Sequence, residues 1–442
     1  MDSRYQNFAA YRPDLIPSLP GKCRPFVRYR QEAFGYLAAF PNGQVGMYQN
    51  SVLPHLKAGQ SYAHCRPHLL TEIHLPLNFH FSAPLLGWIE ITRKCNLRCP
   101  HCFVEGGPVR RNEISTERIK ELLLEWAAAG VFSVVITGGE PSLHPDFVEI
   151  VHFAHGLGFT VGIATNGLTM KKELLERLPQ DDVIISMSLD GAHATGKTDQ
   201  SEFERVTQRL LEIKAAGFNT SIMTTTTREN ARDLQGIIQW AINHEVSLRS
   251  VPFVPMGRGA QNRQMQNATE DVELAARFWV AEEEWERIKD QDLGLCTGKV
   301  YNFLLTMVFA SRRCMSGRGL CYIDSSGDVY PCTTCSGGRT LMGGNIQMRD
   351  FMDIWEDNDW GIRQITWDNF RDTCEGCPIS DEKFFCTGRC PGSSSVHHGR
   401  LDGCGMSPFQ LESVLRREEL FRQQIKPEPR VVIRPEPQTE TV

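Results

Sequence analysis

The chain lacks any apolar run long enough to span a bilayer, and its first residues, Met1-Asp-Ser-Arg-Tyr-Gln-Asn-Phe, carry neither the basic flank nor the apolar stretch of an export signal. Both absences argue against a membrane partner, and the expected location is cytoplasmic. An excess of basic charge is also missing. The 47 Lys and Arg stand against 53 Asp and Glu, a net charge of −6, and no block is dense enough to track a phosphate backbone. Nucleic acid is therefore not an expected partner. No internal repeat is present beyond an alternation of strand-like and helix-like segments. What the chain has in plenty is cysteine, 15 in 442 residues. In a small secreted chain they would mean disulfides; in a large chain without an export signal they mean metal or redox ligation. An apolar share of 41% suffices for a packed core, and the length suggests about three domains.

The cysteines are unevenly placed: three lie at 95 to 102 and nine between 314 and 404, with Cys23, Cys65 and Cys296 isolated. Cys95, Cys99 and Cys102 form a C-x3-C-x2-C triplet directly after the strand-like run Trp88-Ile-Glu-Ile-Thr. A tetrahedral zinc or a fully held cluster needs four ligands, so three tightly spaced thiolates suit a [4Fe-4S] cluster with one iron left open.

From residue 88 to about 257 the apolar runs alternate with amphipathic segments, the pattern of βα units and a parallel sheet. The expected strands are Trp88 to Thr92, Ser133 to Thr137, Thr160 to Thr165, Val183 to Leu189, Thr220 to Thr225 and Leu248 to Val254. Between the first two, Ile119, Leu122, Leu123 and Trp126 recur at helical spacing, with Ser115 as N-cap and Gly130 as terminator. Six units predict an α/β protein built on a partial (β/α)6 TIM barrel. Parallel barrels gather their sites at the carboxyl ends of the strands. The cysteine triplet falls at that end of the first strand, as do Thr137-Gly138-Gly139-Glu140-Pro141, Thr165-Asn166-Gly167, Ser186-Met-Ser188-Leu-Asp190-Gly191 and Pro255-Met-Gly-Arg-Gly259 after later ones.

Together these segments resemble the radical S-adenosylmethionine (SAM) enzymes. The resemblance implies that SAM chelates the open iron and is cleaved by one electron to a 5′-deoxyadenosyl radical, the electron coming from a donor such as flavodoxin or ferredoxin. It also implies that Gly138, Gly139 and Glu140 bind SAM's amino group. Asn166, Ser188 and Asp190 would line its ribose and methionyl pocket, and the loop at 255–259 would lie beside the adenine. Lys197 and Thr198 stand where the family often has an Arg, so no partner for SAM's carboxylate is assigned; nor is a catalytic acid or base.

The later cysteines read Cys314-x6-Cys321-x10-Cys332-x2-Cys335, then Cys374-x2-Cys377-x8-Cys386-x3-Cys390, then Cys404. Two zinc knuckles are one reading, though the loop between them is about twice the usual zinc-ribbon length. Gly327-Asp-Val-Tyr-Pro-Cys332 and the later C-x2-C…C-x3-C order resemble the SPASM domain, a cysteine-rich extension of radical SAM maturases with two auxiliary [4Fe-4S] clusters. The family pattern implies Cys314, Cys321, Cys332 and Cys390 on one cluster and Cys374, Cys377, Cys386 and Cys404 on the other. That leaves Cys335 over; exchanging it for Cys321 would balance the count equally well. With the SAM-binding cluster the implied total is three.

Residues 26 to 50 alternate apolar and polar around Pro41-Asn42-Gly43, a small antiparallel meander followed by a helix. It resembles the start of the RiPP recognition element, through which enzymes bind the leader of a ribosomal precursor peptide. The expectation is a leader added as a strand to an exposed edge of this sheet; a plain N-terminal cap on the barrel is the alternative. The expected organisation is an α+β recognition-element-like domain at 20–86, the radical SAM partial barrel at 87–260, a helical bridge at 261–309, the SPASM domain at 310–410, and a C-terminal helix and disordered tail at 411–442. The functional expectation is an oxidoreductase that matures a ribosomal precursor peptide. A radical SAM oxidase of a small molecule such as a tetrapyrrole and a zinc-ribbon interaction protein are the rivals.

Overall fold

The structure, a computed structural model, describes residues 27–41, 44–190, 200–230, 233–265, 300, 303–304, 307–308, 311–337, 339–357, 360–375, 390–404 and 432–435. Strands β1 (Arg28–Glu32), β2 (Gly35–Ala39) and β3 (Val45–Tyr48) form the expected antiparallel meander. Helices α1 (Leu53–Lys57) and α2 (Tyr62–Cys65) close one face, burying Tyr29, Phe40, Tyr48, Val52, Leu56 and Cys65 together. The other face, through Leu37, Ala39 and Met47, packs with Ile73, Phe81, Leu86 and Phe132 against the main body.

The exposed edge expected of this sheet is not found at β3. Leu70 donates its N–H to the Met47 carbonyl at 2.9 Å, Gln49 donates to the His68 carbonyl at 2.9 Å, and Tyr48 bridges Leu69. A strand's unpaired groups invite pairing, and here the chain's own residues 68–70 supply it. A further strand, β4 (Glu72–Leu75), follows.

The main sheet begins with β5 (Leu86–Glu90), β6 (Ser133–Thr137), β7 (Thr160–Thr165), β8 (Val183–Ser188), β9 (Asn219–Thr226) and β10 (Ser247–Pro252), all parallel and in sequential order. Each lies within two residues of its expected start. Runs such as Val134-Val135-Ile136 are buried on both faces, as strands covered by helices on one side and a barrel core on the other require. The crossovers are α3 (Thr116–Ala128), α4 (Phe147–Gly156), α5 (Lys172–Leu175), α6 (Gln200–Ala215) and α7 (Leu234–Asn243). Ser115 caps α3 by accepting from the Arg118 N–H at 3.2 Å, and Gly130 follows with φ of 78°. Trp126 of α3 lies directly on Gly87 of β5, where any Cβ would strike the indole.

Beyond β5 the sheet continues through β11 (Leu320–Ile323), parallel to it, and then β12 (Asp328–Tyr330) and β13 (Gly344–Asn345), both antiparallel. The first part of the cysteine-rich region is thus an extension of the barrel sheet. One segment of the C-terminal tail departs from the expectation of disorder: β14 (Val432–Pro435) pairs in parallel with β4. Val431, Val432 and Ile433 give this stretch a β-branched character that its prolines had masked. The helical bridge falls largely outside the described residues.

Candidate active site

The cysteine loop leaves β5 at its carboxyl end and is held from three sides. Cys95 donates its N–H to the Gly107 carbonyl at 2.8 Å, and Glu113 accepts from Thr92 Oγ1 and the Arg93 N–H, both at 2.8 Å. From the far side of the barrel, Arg258 donates its backbone N–H to the Cys102 carbonyl at 3.0 Å and its guanidinium to the carbonyls of Cys99, at 2.9 Å, and Gly106. Gly257, with φ of 52°, lies so close to the Phe103 carbonyl that no Cβ would fit. The loop expected beside the adenine therefore also clamps the cysteine loop. His101, between Cys99 and Cys102, donates from Nε2 toward Asp190 Oδ2 at 3.1 Å, a third tie.

The three thiols share one neighbourhood. Burial pushes the Cys99 thiol up to about 12, with Asp190, Cys102 and Cys95 adding to the rise. Cys95 is raised first by burial and further by Glu140 and Cys102. Two backbone N–H groups point at sulfur, Leu97 at Cys95 Sγ and Gly106 at Cys102 Sγ, each 3.4 Å away. The resistance of Cys95 and Cys99 to ionisation, and the amides already aimed at the sulfurs of Cys95 and Cys102, fit a bound cation that would hold the three as thiolates.

Gly138 and Gly139 follow β6, and the space their missing side chains leave is filled by the carbonyls of Thr92, Arg93 and Lys94. Gly139 donates to the Thr92 carbonyl and Glu140 to the Lys94 carbonyl, each at 2.8 Å. The glycines thus let two backbones meet at the base of the cysteine loop. Glu140 is 0% exposed. Its Oε1 accepts from Thr165 Oγ1 at 2.7 Å and from Ser142 Oγ, and its Oε2 accepts from the Asn166 N–H at 2.8 Å. Burial raises its pKa against these bonds. The carboxylate expected to meet an ammonium is thus engaged in setting the β7 loop. Asn166 in turn donates from Nδ2 to Asn96 Oδ1 of the cysteine loop at 2.9 Å. Asp190 accepts from the Thr225 N–H at 2.7 Å besides His101, and Ser188 is exposed at the end of β8. Lys197 and Thr198 lie outside the described residues.

A buried charge network joins this site to the cysteine-rich region. Glu90 of β5 accepts from Arg93 Nε at 2.5 Å and from the Tyr322 hydroxyl of β11, and Arg93 reaches Asp324 Oδ2 at 3.4 Å.

In that region the thiols that lie near one another include Cys335 and leave out Cys321. Cys332 and Cys335 have their sulfurs 3.4 Å apart, and a Cβ on Gly392, two residues beyond Cys390, would lie 3.1 Å from Cys335 Sγ and 3.6 Å from Cys332 Sγ. Cys335 also feels the charges of Cys390 and Cys314, and Cys390 those of Cys314 and Cys332. Cys321 is elsewhere. It sits within β11 opposite Gly87, 0% exposed, and its thiol is pushed up by burial with no other thiol acting on it. Cys314, Cys332, Cys335 and Cys390 thus act on one another, whereas β11 turns Cys321 into the sheet core. A thiol proton from Cys335 holds Cys332 down at about 6, and burial holds Cys390 up at about 12. Among the described residues no three His, Cys, Asp or Glu side chains converge tightly enough for a single metal ion. Cys374 and Cys404 flank a Thr373 Oγ1 to Asp402 carbonyl bond of 2.8 Å; Cys377 and Cys386 lie outside the described residues.

The parallel barrel thus carries three thiols at the carboxyl end of its first strand, and a second thiol group lies just beyond the strands that extend its sheet. The Radical SAM superfamily model matches residues 89–241, and that of SPASM, an iron-sulfur cluster-binding domain, matches residues 314–378. The mycofactocin maturase MftC of Mycobacterium ulcerans (strain Agy99) is 30% identical over 332 residues, 73% of this chain and 87% of that protein. An AdoMet-dependent heme synthase of Methanosarcina barkeri (strain Fusaro / DSM 804) is 28% identical over 298 residues, 62% of this chain and 83% of the other. Crystal structures of Streptococcus suis SuiB, bound to S-adenosylmethionine or to the precursor peptide SuiA, share the fold with TM-scores of 0.65 and 0.64 at 16% identity. Each covers 88% of this chain and, respectively, 100% and 99% of SuiB. The chain belongs to the radical SAM superfamily, among its members with a SPASM domain. Membership implies a [4Fe-4S] cluster and SAM, and the SPASM domain implies auxiliary clusters. Among the described residues no helix is long and apolar enough to cross a membrane.

Proposed function

We propose that this radical SAM enzyme oxidatively modifies a ribosomally synthesised precursor peptide. The observation that carries the reading is its likeness to a maturase over 87% of that protein's length. When bound, the cluster supplies the electron that cleaves SAM to a 5′-deoxyadenosyl radical. Cys95, Cys99 and Cys102 would hold that cluster. Gly138, Gly139, Asn166, Ser188 and Asp190 would border SAM, with Glu140 fixing the loop that carries Asn166. Cys314, Cys332, Cys335 and Cys390 would hold one auxiliary cluster, and Cys374, Cys377, Cys386 and Cys404 a second, three in all. The unit at 20–86 would take the leader, and a flavodoxin or ferredoxin would deliver electrons.

The test is anaerobic turnover with SAM and a reductant, in the presence of peptides encoded by short reading frames beside the gene. The expected result is 5′-deoxyadenosine formation coupled to a change in peptide mass. The likeness to an AdoMet-dependent heme synthase favours a second reading, a tetrapyrrole substrate. Turnover of a tetrapyrrole, with every neighbouring peptide left unchanged, would establish that reading instead.

A further inference from the structure

Tyr322 of β11 meets both flanks of the cysteine loop. Its hydroxyl donates to Glu90 Oε2, while Glu90 Oε1 accepts from Arg93 Nε at 2.5 Å. Its ring centroid lies 6.4 Å from that of Phe103. Arg93 stands two residues before Cys95 and Phe103 directly after Cys102, so the phenol engages the loop ahead of its first thiol and behind its last. From just beyond β11, Asp324 Oδ2 accepts from Arg93 Nη2 at 3.4 Å. Tyr322 and Glu90 are both fully buried.

The main chain of Arg93 in turn sets the base of the loop. Its carbonyl accepts the Gly107 N–H at 2.9 Å, and a Cβ on Gly139 would lie only 2.4 Å from the same oxygen. The next carbonyl, of Lys94, accepts the Glu140 N–H at 2.8 Å. A shift of Arg93 therefore disturbs both the return of the loop at Gly107 and the Gly138-Gly139-Glu140 turn. Tyr322 and Arg93 answer opposite oxygens of one buried carboxylate. Leaving such an oxygen unanswered is costly, and the remaining partner moves to relieve it.

We propose that Tyr322 is a positioning residue for SAM binding. Through Glu90 and Arg93 on one flank and Phe103 on the other, the strand that extends the barrel sheet fixes the cysteine loop in the shape that takes SAM. The proposal rests on Cys95, Cys99 and Cys102 forming the SAM-binding site.

The test compares full-length, anaerobically reconstituted wild type with Tyr322→Phe, which keeps the ring and loses the hydroxyl, and Tyr322→Leu, which loses both. The readouts are iron content, SAM affinity by equilibrium dialysis, and the change that SAM makes in the paramagnetic resonance signal that Cys99→Ala abolishes. Tyr322→Phe should weaken SAM binding at least about fivefold at wild-type iron content, and Tyr322→Leu more. Val329→Ala, which empties core space in the neighbouring strand β12, should bind SAM as the wild type does. Wild-type affinity in both Tyr322 variants, or an equal loss in Val329→Ala, overturns the proposal. Should the Tyr322 variants lose iron, Asp324→Asn decides, since it keeps the Oδ1 that accepts from the Ser326 and Asp328 N–H groups and removes the charge facing Arg93. Weaker SAM binding there at full iron content supports the proposal, and unchanged binding overturns it. If the wild type binds SAM no better than Cys99→Ala, the reading of the loop itself fails and the proposal with it.

Discussion

The two cysteines that the sequence leaves interchangeable should behave oppositely when each is replaced by alanine. Cys321 is sealed in β11 with Gly87 beside it and no thiol within electrostatic reach. Its sulfur acts as a small apolar filler. Removing it loses one atom's worth of transfer energy and leaves a void of roughly 25 Å³, about 1–1.5 kcal/mol in all. A domain with a stability of about 5–15 kcal/mol survives that loss. Cys335, by contrast, is 3.4 Å from Cys332 Sγ and interacts with Cys314 and Cys390. Its loss leaves three thiolates for a cluster that needs four, with one iron open to exchange. Anaerobically reconstituted Cys321→Ala should therefore keep the parent's iron and magnetic signals while melting a few degrees lower. Cys335→Ala should lose up to about four irons or show a signal that shifts on adding an external thiol. Iron lost from Cys321→Ala but retained unchanged in Cys335→Ala would refute the assignment.

Cys99→Ala should abolish reductive SAM cleavage, since two thiolates cannot anchor the cluster; 5′-deoxyadenosine released on reduction of that protein would contradict the reading of the triplet. Glu140→Gln turns one acceptor oxygen into a donor, which then faces either the Thr165 hydroxyl at the Oε1 position or the Asn166 N–H at the Oε2 position. An unsatisfied buried group costs about 1–3 kcal/mol, so SAM affinity should fall by roughly tenfold or more at unchanged iron content; equilibrium dialysis showing unaltered affinity would disprove this coupling. His80 has its pKa lowered by burial and by Arg363 and Arg318, against a partial rise from its bond to the Asn78 carbonyl. The folded state therefore takes up its proton less readily than the unfolded chain, and the stability this gives is complete above about pH 6.5 and fades as pH falls through the folded value. Between pH 7.5 and 5.5 the thermal midpoint of His80→Gln should fall less than that of the parent; parallel curves would exclude His80 as a contributor.

Much of the barrel was legible because its signals are local. Val134, Val135 and Ile136 need no partner to announce a buried strand, and Ser115 and Gly130 mark the ends of α3 through their own backbone preferences. The extension through β11 was not legible, since its register against β5 joins residues more than two hundred positions apart. The choice between Cys321 and Cys335 carried a signal that spacing alone hid. Leu320-Cys-Tyr-Ile reads as an apolar strand whose thiol turns into a core, whereas Cys332-Thr-Thr-Cys335 follows a proline and coils into a tight turn that brings both sulfurs to one side. His101 and Arg258 are single polar residues in loops with no periodicity to expose them; only the folded barrel shows that both tie down the cysteine loop. Gly138 and Gly139 were legible as sites of close approach, but the approaching group is the backbone at Thr92–Lys94.

The placement of the N-terminal sheet constrains any role it has in substrate capture. Arg28 donates to the carbonyls of Phe132 and Gly158 and to Thr160 Oγ1, and Arg30 to the carbonyls of Ala83, Pro84 and Gly130. All of these groups lie at the amino ends of β5, β6 and β7, whereas the cysteine loop, Asn166 and Asp190 lie at the carboxyl ends. Strands of five or six residues at about 3.3 Å per residue separate the two ends by roughly 17–20 Å. A leader held at the sheet would thus need at least about six extended residues before its modified segment reached SAM. The sheet is also not a detachable module. Leu37, Met47, Ile73 and Phe81 share one core with Leu86, Phe132 and Val135 of the barrel, and four such side chains at roughly 1.5–3 kcal/mol each amount to as much as a domain's whole stability. Because the β3 edge is already paired with residues 68–70, a peptide joining the sheet on that side would first have to displace them. Recognition there would therefore be an exchange of one strand for another, its net affinity reduced by the cost of breaking the pairing already present.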